Sequence, residues 1–302
     1  MALRVTPGMM QGQLMRNINH NLTRMQGQQN ELSTGRKLNK PSDDPVGITY
    51  SLRYRSELAM NEQYDKNIAQ AKSQLDHADT VLGQLNDVVQ RVQELSVQAL
   101  NGTNPQSALD AISIEVGQIY EQAVIFGNDQ LNGKYIFNGQ MTDKTPYNPA
   151  TASTTTAPET DDQLFKVRFA AGVTVATNVT GGEVFGKTTD TDNLFKALKD
   201  IQNALSPTAD RAALADAYAR LNTRYDKIIN IRSEVGARTN RIDLIDTRLQ
   251  DLNYNLTGLQ SKTEDTDMAE TIMKYNQEEA VYQASLSTGA KIISPTLIDY
   301  LR

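Results

Sequence analysis

The sequence predicts a mainly α protein with a small β-rich insert: a long antiparallel helical bundle or coiled coil built from both ends of the chain, with discontinuous domains nested one inside another. Three observations carry this. Apolar residues recur every three and four positions over runs longer than an ordinary globular helix. That period gives way to strand-like alternation and turn dipeptides only near the middle of the chain. The two ends also carry similar narrow seams, which a lone helix would leave exposed to water.

The first seam runs through Leu14, Ile18, Leu22, Met25 and Leu32 and is broken at Gly35 and at Pro41-Ser42-Asp43-Asp44-Pro45. Asp44 before Pro45 reads as a helix start, a carboxylate that accepts free N–H groups followed by a proline preset for the first turn; Ser42 and Asp43 are alternative caps. The next helix carries Tyr64, Ile68, Ala71, Leu75, Ala78, Leu82, Leu85, Val89 and Val92 without a missed step, until Asn101-Gly102-Thr103-Asn104-Pro105 ends it. Leu109, Ile112, Val116, Ile119, Ala123 and Phe126 then mark a second helix, stopped by Gly127, that should return antiparallel on the first.

Here the period changes. Lys134-Tyr135-Ile136-Phe137 lies between Asn132-Gly133 and Asn138-Gly139, the punctuation of short strands and tight turns. Residues 145–163 read as a loop, and Phe165, Val167 and Phe169 alternate with Lys166 and Arg168 as a half-buried strand does. Val173, Val175 and Val179 continue that style to Gly181-Gly182. Helical spacing resumes at Leu194, Leu198, Ile201 and Leu205, then at Leu214, Tyr218, Leu221, Tyr225, Ile228, Val235 and Ile242. A slip of one position is expected at Ile245, with the run continuing through Leu249, Leu252, Leu256 and Leu259. A capping-type cluster at 263–267 restarts the last seam: Met268, Ile272, Tyr275, Tyr282, Leu286 and Ile293.

This nesting predicts a terminal coiled-coil domain (1–42 with 267–302), a long-helix bundle (43–139 with 190–266) and a β-rich insert (140–189). The bundle core is expected at Ile68, Leu75, Leu82, Leu85, Val89, Ile112, Ile119, Leu249, Leu252, Leu256 and Leu259. The two terminal seams should cover each other and, in neighbouring subunits, copies of themselves. On that view loss of 140–189 should be tolerated better than loss of 268–302.

Composition agrees with such a layout. Among 302 residues 39% are hydrophobic and Trp is absent, lean for compact packing and ordinary for long helices. The absence of cysteine removes disulfides and thiolate metal sites. A net charge of −6 argues against nucleic acid as a partner. The first forty residues nevertheless hold Arg4, Arg16, Arg24, Arg36, Lys37 and Lys40 against Glu31 alone, while Glu264, Asp265, Asp267, Glu270, Glu278 and Glu279 gather near the other end. These charges are spread singly with no aromatic between the basic ones, so they suggest pairing of the end helices rather than base stacking. No run approaches a membrane span, and residues 1–14 hold no signal-peptide core, so export would proceed without a cleaved leader.

Catalytic chemistry is sparse. His20 and His77 fall on different expected helices and belong to no metal or nucleophile motif. The carboxylates of 264–270 sit at a helix start, where the helix dipole favours them without any cation. No catalytic, cofactor or metal residue is expected.

Several stretches resemble the bacterial flagellin superfamily. These are Glu31-Leu32-Ser33-Thr34-Gly35-Arg36-Lys37-Leu38 running into 41–47, the segment 90–98, the segment 232–241, and 263–270 with the C-terminal run. Within the superfamily the hairpin segment 132–139, followed by Thr145-Pro146-Tyr147, and the ending at 297–301 are similar to hook–filament junction proteins more than to filament flagellins. The resemblance implies an extracellular structural subunit exported unfolded by the flagellar type III route. It also implies folding on assembly into a ring of copies between hook-associated protein 1 and flagellin, and a cytoplasmic chaperone guarding the C-terminal helix. Arg91, Leu95 and Glu115 align with positions by which an innate immune receptor recognises many flagellins, although Leu95 reads equally as core and the charged pair as surface. The alternatives are a short flagellin that builds the filament itself and, from another class, a secreted helical effector or adhesin.

Overall fold

The computed structural model describes residues 7–154, 160–206 and 210–292. Seven helices are formed there: α1 (Pro7–Thr34), α2 (Pro45–Leu100), α3 (Gln106–Gly127), α4 (Gly181–Phe185), α5 (Leu194–Leu205), α6 (Arg211–Glu264) and α7 (Met268–Ile292). Strands are few: β1 (Gln130–Leu131) pairs antiparallel with β2 (Lys134–Tyr135), and β3 (Lys166–Ala170) with β4 (Val173–Ala176). The protein is mainly α, built on long helices with small antiparallel hairpins between them. Asp44 starts α2 as expected, its Oδ1 accepting from Val46 N at 3.0 Å, while Asp43 Oδ2 accepts from Asn39 N and Lys40 N in the turn before it.

The chain divides into two compact units, Asn61–Asp251 and Met1–Met60 with Leu252–Arg302. In the first, Ile68, Ala71, Leu75, Leu82, Leu85, Val89 and Val92 of α2 are all buried, and so are Leu109, Ile112, Val116, Ile119 and Ala123 of α3. Each fully buried Leu or Ile contributes about 1.5–3 kcal/mol. The return of α3 on α2 is marked by an ion pair 24 residues apart in sequence, Arg91 Nε to Glu115 Oε1 at 2.8 Å.

The turn between β1 and β2 has both central residues at positive φ, Asn132 at 53° and Gly133 at 75°, the pair of values a type I′ hairpin needs. Beyond it Phe137, Phe185 and Phe195 are fully buried with Tyr147 among them. The Phe185 and Phe195 rings stack at 5.1 Å, and Tyr147 meets them at 5.2 and 4.8 Å. Arg224 of α6 reaches into the same region, 2% exposed, donating to the backbone carbonyls of Asp192 at 2.9 Å and Glu183 at 3.0 Å and pairing with Asp192 Oδ1 at 2.9 Å.

The boundaries of the two compact units fall at 60/61 and 251/252, inside α2 and α6. Segment 140–189 leans on the helices, as so short an insert must: Tyr147, Phe169, Val175, Val179, Val184 and Phe185 belong to the same core cluster as α2, α3, α5 and α6. Three expectations need correction here: Phe165 facing inward, the phase slip at Ile245, and Leu252 and Leu259 as core residues. Phe165, expected inward, precedes β3 and is exposed, while Phe169 is fully buried. No phase slip occurs in α6. Leu214, Leu221, Ile228, Val235, Ile242, Leu249 and Leu256 are buried at an unbroken seven-residue spacing. The second row of the same heptad rises outward instead, with Ile245 half-buried, Leu252 43% exposed and Leu259 44% exposed. These two leucines are therefore not core residues of the single chain; toward its C-terminal end α6 is sheltered along one row only.

Candidate functional site

α1 and α7 pack on each other antiparallel, in the unit formed by the chain ends. The sheltered positions follow heptad spacing on both. They are Leu14, Ile18, Asn21, Leu22, Met25, Gln28 and Leu32 on α1, and Thr271, Tyr275, Glu278, Tyr282, Ser285 and Gly289 on α7. At Gly289 the helices come close: a Cβ there would lie 2.7 Å from Leu14 Cδ2, so a larger residue would push the pair apart. Midway, Arg24 grips Glu278 with Nε to Oε1 at 2.8 Å and Nη2 to Oε2 at 3.0 Å, and its Nη2 also reaches Asn21 Oδ1 at 2.5 Å. Among the described residues this is the one ion pair between α1 and α7. An exposed pair of this kind is screened by solvent, so it orients the helices more than it holds them.

The predicted terminal seam divides in two. The five α1 residues, with Tyr275 and Tyr282, lie in the helix interface, whereas Met268, Ile272 and Leu286 are close to half exposed. Ile293 lies outside the described residues. The reason is geometric: one partner helix covers one face of α7, and the apolar residues of α7 span more than one face. Ile272, Met273, Val281 and Leu286 therefore remain as exposed apolar positions, beside Met10 and Met15 on α1.

A clasp joins the chain segments where this pair begins. Arg36 and Asp265 form an isolated antiparallel bridge, Lys37 N donates to Glu264 O at 2.8 Å, and Thr266 N donates to Gly35 O at 3.0 Å. The Glu264 side chain, 1% exposed, turns inward to Arg55, with Nε to Oε1 at 2.8 Å and Nη2 to Oε2 at 2.5 Å. The Ser51 hydroxyl donates to Oε1, Gln260 donates at 3.3 Å, and Arg36 Nε stands 3.5 Å from Oε2. The Arg55 hydrogen bonds outweigh the cost of burial and, with help from Ser51 and Gln260, hold this carboxyl at about 2. Its neighbours are equally engaged: Asp265 with Ser261 at 2.5 Å, Asp267 as the α7 cap receiving Ala269 N and Glu270 N, and Glu270 with Lys274 at 2.8 Å. The acidic cluster read from sequence is thus spent on capping and pairing, and the described residues hold no group of three His, Asp or Glu arranged for a metal ion.

Leu95, aligned above with a receptor epitope, is buried in the core; Arg91 and Glu115 pair on the surface beside it. Sequence reasoning missed Gly289, Arg224, Ser51 and Arg55, of which only the glycine gives any local signal.

Comparison with known proteins places this geometry. The bacterial flagellin N-terminal helical region matches residues 5–142, and the bacterial flagellin C-terminal helical region matches 219–301. The chain belongs to the bacterial flagellin family. Each matched region contains one side of the clasp and one helix of the terminal pair, so the flagellin signature and the paired ends coincide. Among flagellin-family relatives, flagellar hook-associated protein 3 of Escherichia coli (strain K12) is 25% identical over 304 residues, covering 94% of this chain and 95% of that protein. The crystal structure of Bacillus cereus FlgL superposes with a TM-score of 0.58 at 27% identity, over 69% of this chain and 99% of that one. That of hook associated protein-3 from Legionella pneumophila, at 13% identity and a TM-score of 0.61, over 69% of this chain and 97% of that one, shares the fold.

Proposed function

We propose that this flagellin-family chain is the structural subunit of the hook–filament junction. A ring of copies would join the hook, through hook-associated protein 1, to the first flagellin subunits. The observation that carries this reading is the near full-length relation to hook-associated protein 3, over 94% of this chain and 95% of that protein. The half-exposed apolar positions of α7 support it, because they suit a helix that is completed by neighbouring copies. In the same reading the chain leaves the cell unfolded through the flagellar type III route. A cytoplasmic chaperone covers the C-terminal helix until then, since a helix with an uncovered apolar stripe would otherwise aggregate or polymerise early. Among the described residues no helix is long and apolar enough to cross a membrane.

The test is a strain lacking this chain. It should carry hooks, shed unpolymerised flagellin into the medium and recover filaments on complementation. A purified chain that grows long filaments by itself would instead identify a short flagellin.

A further inference from the structure

The α1–α7 interface does not by itself define how the two helices align. Its rows repeat every seven residues: Ile18, Met25 and Leu32, with Leu14, Asn21 and Gln28, on one side; Tyr275, Tyr282 and Gly289, with Thr271, Glu278 and Ser285, on the other. Sliding one helix by a heptad would again set these rows against each other, at the cost of one exposed ion pair and the fit of Leu14 over Gly289. The observed alignment nevertheless continues the clasp, with a drift of only one residue at each step. From the Arg36–Asp265 bridge, 12 residues back along α1 and 13 forward along α7 lead to Arg24–Glu278; a further 10 and 11 lead to Leu14–Gly289.

We propose that the clasp of Gly35–Lys37 with Glu264–Thr266, locked by the buried Glu264 side chain, sets the register in which the two chain ends pair. Its hydrogen bonds are not periodic, so a slipped pairing cannot reproduce them. Ser51 and Arg55 of α2 hold Glu264 from one side and Arg36 from the other, and the backbone bridge leaves one alignment for the helices that start within four residues of it. The consequence for the ring rests on the proposed function: only the correct register would bring Met10 and Met15 of α1 into a constant relation with Ile272 and Leu286 of α7.

The chain has no cysteine, so introduced pairs report cleanly. Arg24→Cys with Glu278→Cys reads the observed register, and Arg24→Cys with Ser285→Cys or Thr271→Cys reads a heptad slip either way. A disulfide traps whichever alignment is visited, so the ratio reports the bias whether pairing is lasting or transient. With Glu264 present, the purified full chain should form the 24–278 cross-link in about tenfold excess, falling to within about twofold of parity in Glu264→Ala. Glu264→Gln and Ser51→Ala, gentler changes checked for retained helicity, should move the ratio the same way by less. An unchanged ratio in Glu264→Ala, or no 24–278 cross-link with Glu264 in place, overturns the proposal. Failure of the junction reading would show separately, as filaments in the deletion strain, and leaves this ratio untouched.

Discussion

At the scale of single residues two of the carboxylates, Glu264 and Asp65, act in opposite senses. Glu264 is held at about 2 against an ordinary 4.5, by Arg55 first, so its contribution is complete above about pH 4.5 and is lost as pH falls toward 2. Allowing for solvent around the half-exposed Arg55, that contribution is about 2 kcal/mol. Glu264→Ala should therefore lower stability in urea unfolding at pH 7, and the gap to the parent chain should narrow between pH 5 and pH 2.5; a gap independent of pH would refute the role assigned to its charge. Asp65 is the reverse case. Its Oδ1 is buried without a partner, and burial, then Asp246 and Glu62, push its carboxyl above the usual range. A raised acid costs stability as pH climbs through its folded value, so Asp65→Asn should stabilise the chain at pH 7 and have little effect near pH 4, read by urea unfolding at the two pH values.

At the scale of elements, periodicity and burial part company where a helix has too few neighbours. α2 is buried along its whole predicted seam between Ile68 and Val92, because α3, α5 and α6 share its core. Toward the C-terminal end of α6 the first heptad row stays covered and the second does not. Segment 140–189 shows the converse: weak patterning and little strand, yet seven core side chains. Phe185→Ala is expected to cost about 3–4 kcal/mol, and excision of 140–189 to abolish cooperative unfolding followed by far-UV circular dichroism. A sharp transition in the excised chain would show that the helices fold without the segment.

At the scale of the whole molecule, the proposed function assigns the exposed side of α7 to neighbouring copies. Replacing Ile272 and Leu286 with Ser touches neither the α1 interface nor the clasp. The double variant should keep its helical signal and melt within about 2 °C of the parent chain, because exposed substitutions change stability little. In the cell it should fail to enter the junction, leaving non-motile cells and flagellin in the medium. Normal motility would remove this face from the assembly.

By itself the sequence determined the mainly α class, the long helices, the Asn132-Gly133 hairpin, the α1 seam and the family, because each is written in local spacing or in contiguous motifs. Only the tertiary structure decided which seam residues are sheltered. Met268, Ile272 and Leu286 have the same apolar spacing as Leu14 and Ile18, but the single helix packed on α7 can cover just one of its faces. The clasp was hidden for a related reason. Glu264 bonds to Ser51 and Arg55 more than two hundred residues away, and no local pattern tells a carboxylate that caps a helix from one that is buried and ties the two ends of the chain together.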